Sequence, residues 1–228
     1  MAAVRRRGRP KTKPAPPAEG RRAARRVRMT GAERREQLLD VARSLFAEKG
    51  YDGASVEEIA HRAMVSKPVV YEHFGGKEGI YAVVVDREMQ FLLHAITSAL
   101  AEEAHPRILL ERAAGSLLDY VENYRDGFRI MVRESPVPQA TGTFSSLLND
   151  IASQVEDILG TQFTRSGFEP KLAALYSQAL VGMVAFTGQW WLEVGKPRRE
   201  DVAAHLVNLV WNGLSHLESK PELRDVPQ

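Results

Sequence analysis

Residues 55–81 read SVEEIAHRAMVSKPVVYEHFGGKEGIY, and this stretch limits the fold more than any other. Ser55-Val-Glu-Glu58 has the spacing of a capping box and opens a short helix to about Ala63. Ser66 caps a second helix to about His73, with Pro68 tolerated in its first turn. Gly75-Gly76 breaks that helix. Ala63–Val65 leaves only a tight turn between the two. Ile59 and Ala60 on the first helix, and Val70 and Phe74 on the second, pack with Leu45 and Phe46 of the preceding segment. Ala60 is small enough to let the pair approach closely. Two short helices at such a turn form helix-turn-helix geometry, whose second helix enters the major groove of DNA. That groove, about 12 Å wide, admits one helix.

The flanking sequence is helical as well. Thr30-Gly-Ala-Glu33 is another capping box, and Leu38, Val41, Ala42, Leu45 and Phe46 follow at helical spacing over 33–49, with Gly50 to end the helix. Beyond Lys77 an apolar-rich helix is predicted to about Glu103. Further helices are predicted near 106–124, 126–134, 144–165, 170–193 and 200–218, punctuated by Pro106, Pro136, Pro138, Gly167, Pro170, Gly195 and Pro197. No alternation of period two persists. The fold class is therefore all-α: an N-terminal three-helix DNA-binding unit over 30–76, then a larger helical domain over 77–219. Residues 1–29 and 220–228 are expected to be disordered.

Charge is distributed unevenly. Residues 1–29 hold eleven of the 31 basic side chains and one of the 29 acidic ones, so a chain of net charge +2 is a basic arm on an acidic body. Such an arm suits a polyanionic partner, and its position ahead of a helix-turn-helix favours DNA over lipid. Cysteine is absent, which excludes a disulfide framework and any Cys-based nucleophile or metal site. No apolar run is long enough to span a membrane, and none follows the basic N-terminus to make a secretory signal. The expected location is cytoplasmic. The six histidines are scattered without metal-ligand spacing, and no catalytic or nucleotide-binding fingerprint occurs. Neither an enzyme activity nor a metal or other cofactor is expected.

The segments LFAEKGYDGAS, VEEIAHRA and VSKPVVYEHFGGKEGIY together resemble the TetR family of bacterial transcriptional regulators over about residues 31–91. Tyr71-x-His73-Phe74, followed by Gly76-Lys77-Glu78, is the most specific part. The resemblance implies DNA contact by Ser55, Ser66, Lys67, Pro68, Val69, Tyr71, His73 and Lys77. Lys67 and Val69 would meet base edges; Tyr71 and His73 would meet phosphate or sugar. Two departures stand out. Met64 occupies a turn position where the family often has Gly, and a left-handed backbone there costs a non-glycine residue about 1–2 kcal/mol. Pro68 replaces a commoner small residue and removes an N–H. Arg7-Gly8-Arg9-Pro10 in the arm also resembles an AT-hook, in which arginines lie in a narrow A·T minor groove. Simple attraction to phosphate is the other role for this run.

The same resemblance implies a C-terminal domain that dimerises and binds an effector. Helices near 170–193 and 200–218 carry small residues at Ala179, Gly182, Gly188 and Gly213, beside Leu172, Leu175, Met183, Leu206, Leu209 and Leu214; they are the expected homodimer interface. Ligand-lining candidates are Phe91, Tyr120, Tyr124, Phe128, Phe144, Phe186 and Trp190, with Met131, Phe163 and Met183. Those side chains suit an apolar or amphipathic effector. The resulting expectation is a ligand-responsive repressor that binds a palindromic operator as a dimer. The alternative is an architectural, largely non-specific DNA-binding protein dominated by its arm.

Overall fold

The computed structural model describes residues 29–133 and 143–222. The basic arm, the Pro136–Pro138 segment and residues 223–228 lie outside the described residues. Among those described, every regular element is helical: α1 Gly31–Gly53, α2 Val56–Arg62, α3 Lys67–Phe74, α4 Lys77–Ala101, α5 Pro106–Asn123, α6 Arg125–Val132, α7 Phe144–Ser166, α8 Ala173–Val194 and α9 Arg199–Ser215. A turn of 3-10 helix at Pro170–Leu172 leads into α8.

Helix starts follow the capping chemistry in the sequence, with two adjustments. At α1 both halves of the capping box form: Thr30 Oγ1 accepts from the Glu33 N–H at 3.2 Å, and the Glu33 carboxylate accepts from the Thr30 N–H at 2.7 Å. At α2 only half does. Ser55 Oγ accepts from the Glu58 N–H at 3.1 Å, but the Glu58 carboxylate turns to Lys49 Nζ at 2.8 Å and Arg62 Nη2 at 2.8 Å. Two cations outcompete one backbone N–H. At α3 Ser66 holds the N-cap position without a side-chain cap bond. Pro68 has removed one of the N–H groups its hydroxyl would meet. Gly50 interrupts α1 at φ 73°, ψ 176°, and one further turn follows it to Gly53.

α1 packs on α4 and α6; α2 packs on α1 and α3, and α3 meets α4. Leu45, Phe46, Ile59, Ala60 and Val70 are buried together, as the apolar pattern requires. Phe46 meets Tyr81 of α4 edge-on at 4.9 Å. Phe74, assigned to the core from sequence, is half-buried at its rim with the Arg35 guanidinium 5.0 Å above its ring. The larger bundle comprises α4, α5, α7, α8 and α9, with α7 on α8 and α5 on both α4 and α9. Gly188 of α8 faces Leu117 and Val121 of α5, so it serves packing within the chain.

Candidate DNA-reading surface and ligand cavity

The turn between α2 and α3 is a Schellman motif. The Val65 N–H reaches the Ala60 carbonyl at 2.9 Å and the Met64 N–H reaches the His61 carbonyl at 3.1 Å. This pattern demands a left-handed residue at Met64, which has φ 55° and is 81% exposed. Methionine thus takes the conformation that glycine adopts freely, and the motif keeps its form. Gln37 of α1 donates to the Ala63 carbonyl at 3.3 Å, fixing the turn against the bundle.

The turn aims the first part of α3 outward. Ser66, Lys67, Pro68 and Tyr71 are exposed, and the first turn carries no acid. Among the described residues the Ser66 hydroxyl makes no cap hydrogen bond. Lys67 is not free: its ammonium is paired with the Glu57 carboxylate of α2, and it lies 5.6 Å from the Tyr71 ring centroid. The Glu57 partnership raises the pKa of Lys67 above the usual lysine value. Four expected contact residues sit differently from the sequence reading. Val69 is half-buried against the core, because the helical period that buries Val70 draws its neighbour inward. His73 is half-buried beside Phe74. Lys77 reaches back to α1, with Nζ 4.3 Å above the Tyr51 ring and donating to the Asp52 carbonyl at 3.4 Å. Ser55 is half-buried and occupied as the α2 cap. Arg7 and Arg9 lie outside the described residues.

Sequence reasoning missed Glu57, the counter-charge to Lys67, and Gly79. A Cβ at Gly79 would overlap the Phe74 carbonyl oxygen, so glycine is what lets α4 start directly beneath the end of α3. A glycine in the first turn of a long helix was the available signal for it.

A second feature lies in the larger bundle. An apolar cavity of about 120 Å³ opens among α4, α5, α7, α8 and α9. Leu92, Ile96, Leu117, Phe144, Ile151, Val184 and Trp211 are in its wall, where Gln162 and the Trp211 indole are the polar groups. Of the aromatic candidates named from sequence, Phe144 alone is in that wall. Phe128 is wholly buried, and Tyr120 is buried with its hydroxyl donated to Glu88 at 2.7 Å. Phe91 and Tyr124 lie at the surface; Tyr124 stacks on Tyr120, and Phe91 sits tilted against both rings. Phe186 and Trp190 share the outward face of α8, 70% and 51% exposed. Four residues apart, they project together, away from the cavity-facing Val181, Val184 and Ala185. Met131, Phe163 and Met183 are also absent from the wall. Helical spacing puts aromatic residues on a face, but which face meets the cavity depends on neighbours far away in sequence.

Comparison with known proteins agrees with this anatomy. The family model for bacterial regulatory proteins of the tetR family matches residues 38–84, and the tetracyclin repressor-like C-terminal domain matches residues 106–213. The transcriptional activator FasR of Mycolicibacterium smegmatis is 32% identical over 204 residues, covering 88% of this chain and 91% of FasR. The chain belongs to the TetR family. As a member it is a DNA-binding transcriptional regulator and not an enzyme. Members of the family bind DNA and dimerise. The structure of the TetR-family regulator PfmR from Thermus thermophilus superposes with TM-score 0.67 at 27% identity, covering 82% of this chain and 98% of PfmR. AibR, solved with isovaleryl coenzyme A and operator DNA, superposes with TM-score 0.64 at 21% identity, covering 78% of this chain and 97% of AibR. The architectural alternative finds no support in this regulator-like organisation across both domains. Among the described residues no cluster of His, Asp and Glu could hold a metal, and no helix is long and apolar enough to cross a membrane.

Proposed function

We propose that this chain acts in the cytoplasm as a homodimeric, ligand-responsive repressor of the TetR family. The unit over 30–76 would hold the operator and the domain over 77–219 would dimerise and take the effector. The observation that carries the reading is the exposed start of α3, with Ser66, Lys67, Pro68 and Tyr71 presented together after a hydrogen-bonded turn. Tyr71 and Ser66 would take phosphate, and Lys67 a base edge after exchanging Glu57 for DNA. Half-sites of a helix-turn-helix dimer lie about 34 Å apart, one turn of the duplex, so the operator is palindromic. The arm with Arg7 and Arg9 adds phosphate attraction and little sequence information, with a salt slope of about −0.9 per phosphate neutralised.

Dimerisation is assigned to α8 and α9. Leu175, Phe186, Trp190 and Val194 of α8 and Leu209 of α9 are exposed. Gly182 and Gly213 beside them have open space where a side chain would be, which permits close approach of a second copy. An apolar stripe of this kind marks an interface. The effector is assigned to the cavity, whose wall favours an apolar or amphipathic molecule. Such a ligand lowers operator occupancy only by preferring the conformation with mispositioned α3 helices. Repression results where the operator overlaps a promoter. FasR carries the name of an activator, so a promoter fusion is needed to read the sign.

The test is selection of bound fragments from the source genome at near-physiological salt, with the full chain and a Tyr71→Ala variant. One palindrome enriched by the full chain and lost with Tyr71→Ala is the expected result. Enrichment of A·T-rich DNA without a palindrome, unaffected by Tyr71→Ala, overturns the reading. A promoter fusion carrying the recovered palindrome then gives the sign of regulation.

A further inference from the structure

Glu88, midway along α4, is the buried charged side chain among the described residues, with 3% exposure. A carboxylate is costly to bury unless it is paired and hydrogen-bonded. Here Oε1 accepts from Arg43 Nη1 of α1 at 3.3 Å and from Arg87 Nη2 at 3.4 Å. Oε2 accepts from the Tyr120 hydroxyl of α5 at 2.7 Å. Burial, then the Glu88 charge, hold the Tyr120 phenol far above the ordinary tyrosine pKa, so it stays a donor. α6 closes the remaining side. Gly127 is buried there, and a Cβ on it would overlap both the carboxylate and the Tyr120 hydroxyl. One carboxylate is therefore touched from α1, α5 and α6 while being carried by α4.

A buried ion pair is a weak source of net stability, and its best-attested use is to fix one arrangement over others. The arrangement fixed here joins two functional regions. Arg43 lies on α1, the helix whose Gln37 holds the turn at Ala63 and whose Arg35 covers Phe74 of α3. On the other side, Glu88 stands one turn before Leu92, and Tyr120 one turn after Leu117; both leucines are cavity wall. Phe144, also in the wall, meets Phe128 edge-on at 5.8 Å, and Phe128 meets Tyr120 edge-on at 6.3 Å. The carboxylate thus lies between the cavity and the helix that braces the reading head.

We propose that Glu88 is the positioning residue through which the cavity controls DNA affinity, its carboxylate joining Arg43 on the DNA side to Tyr120 and Gly127 on the cavity side. Filling the cavity moves Tyr120 and α6 off the carboxylate and frees α1 to shift against the larger bundle. This rests on the ligand-responsive function above and goes beyond it by naming the junction. Glu88 and Tyr120 need touch neither DNA nor effector.

The test uses the full chain, the palindrome recovered by genomic selection, and a side chain as the occupant of the cavity: Ala114→Phe, in its wall. Operator Kd is measured by fluorescence anisotropy for the parent, Tyr120→Phe and Glu88→Gln, each with and without Ala114→Phe. Thermal melts accompany every variant. In the parent, Ala114→Phe is expected to weaken binding by at least about fivefold, the lower end of allosteric couplings. In the Tyr120→Phe or Glu88→Gln background that change is expected to shrink below about twofold, since the junction is already open. Tyr120→Phe removes one hydroxyl and keeps the ring, so it remains usable where Glu88→Gln fails to fold. A merely structural Glu88 would lower the melting temperature and leave the fivefold change intact, which overturns the proposal. If Ala114→Phe leaves operator Kd unchanged in the parent, filling this cavity does not control DNA affinity and the proposal falls, while the ligand-responsive function is still open to test by its own promoter fusion.

Discussion

The Lys67 ammonium of α3 is paired with the Glu57 carboxylate of α2 across the helix-turn-helix turn. Both side chains are about half exposed, so the pair contributes little to stability. Its effect is on binding. Glu57 places a negative charge beside the surface assigned to DNA and occupies the cation aimed at it. Glu57→Gln is expected to leave the melting temperature within about 2 °C. It should tighten operator binding severalfold and steepen the salt slope by about one unit, as one more phosphate is neutralised. Anisotropy titrations over a salt series check this. An unchanged slope with unchanged Kd would show that Glu57 does not restrain Lys67.

Met64 bears a cost that glycine would not. Its left-handed backbone, φ 55°, is worth about 1–2 kcal/mol of strain in a non-glycine residue. Glycine returns about 0.4–1 kcal/mol of that through a freer unfolded chain. Met64→Gly should therefore stabilise the protein by about 0.5–1 kcal/mol in urea unfolding with an unchanged m-value. Met64 is 81% exposed, so no core packing is lost. A loss of stability would mean that the methionine side chain makes contacts outweighing the strain.

The surface ion pairs around α2 should make the reading head sensitive to acid. Hydrogen bonds from Arg62 to Glu48 and from Lys49 to Glu58 hold both carboxyls below the ordinary value of 4.5. A depressed folded-state pKa adds stability above the unfolded value, and that stability is lost as pH falls through the folded one. Melting temperature should thus be level above about pH 5 and fall progressively below 4.5. A Glu48→Gln, Glu58→Gln variant should fall less steeply over that interval. Because these groups are exposed, added salt should shrink the difference between the two chains. Identical acid profiles would remove these pairs from the account.

Local chemistry was legible in the sequence where it depends on near neighbours. Thr30 and Glu33, the glycines at 75 and 76, and the helices they delimit are visible in a few residues each. So was the reading head, since Ile59, Ala60 and Val70 form their core within one short segment. The cavity was not legible. Tyr120 and Phe128 have helical spacing and aromatic character in the sequence, yet a carboxylate 32 residues upstream of Tyr120 determines its orientation. Lys67 illustrates the same limit: its spacing correctly gives an outward direction, but its bond to Glu57 depends on the angle between two helices. Gly79 and Gly127 are explained only by a carbonyl and a carboxylate brought close by tertiary packing.

Phe186 and Trp190 give the last prediction. Both project outward from α8, at 70% and 51% exposure, on the same face as Leu175 and Val194. If that face is covered by a second copy, burying each aromatic contributes about 1.5–3 kcal/mol per protomer, and charges placed there are desolvated without partners. Phe186→Glu with Trp190→Glu should convert a dimer to a monomer in sedimentation velocity runs. The helical circular dichroism should persist, because neither side chain belongs to the chain's own buried core. Operator binding should weaken by about 10²–10⁴-fold, the contribution lost when two linked contacts become independent. Affinity for a single half-site should hardly change, since Ser66, Lys67 and Tyr71 lie on another helix. A variant that stays dimeric would move the interface away from this face of α8, whereas a monomer with full operator affinity would separate dimerisation from DNA recognition.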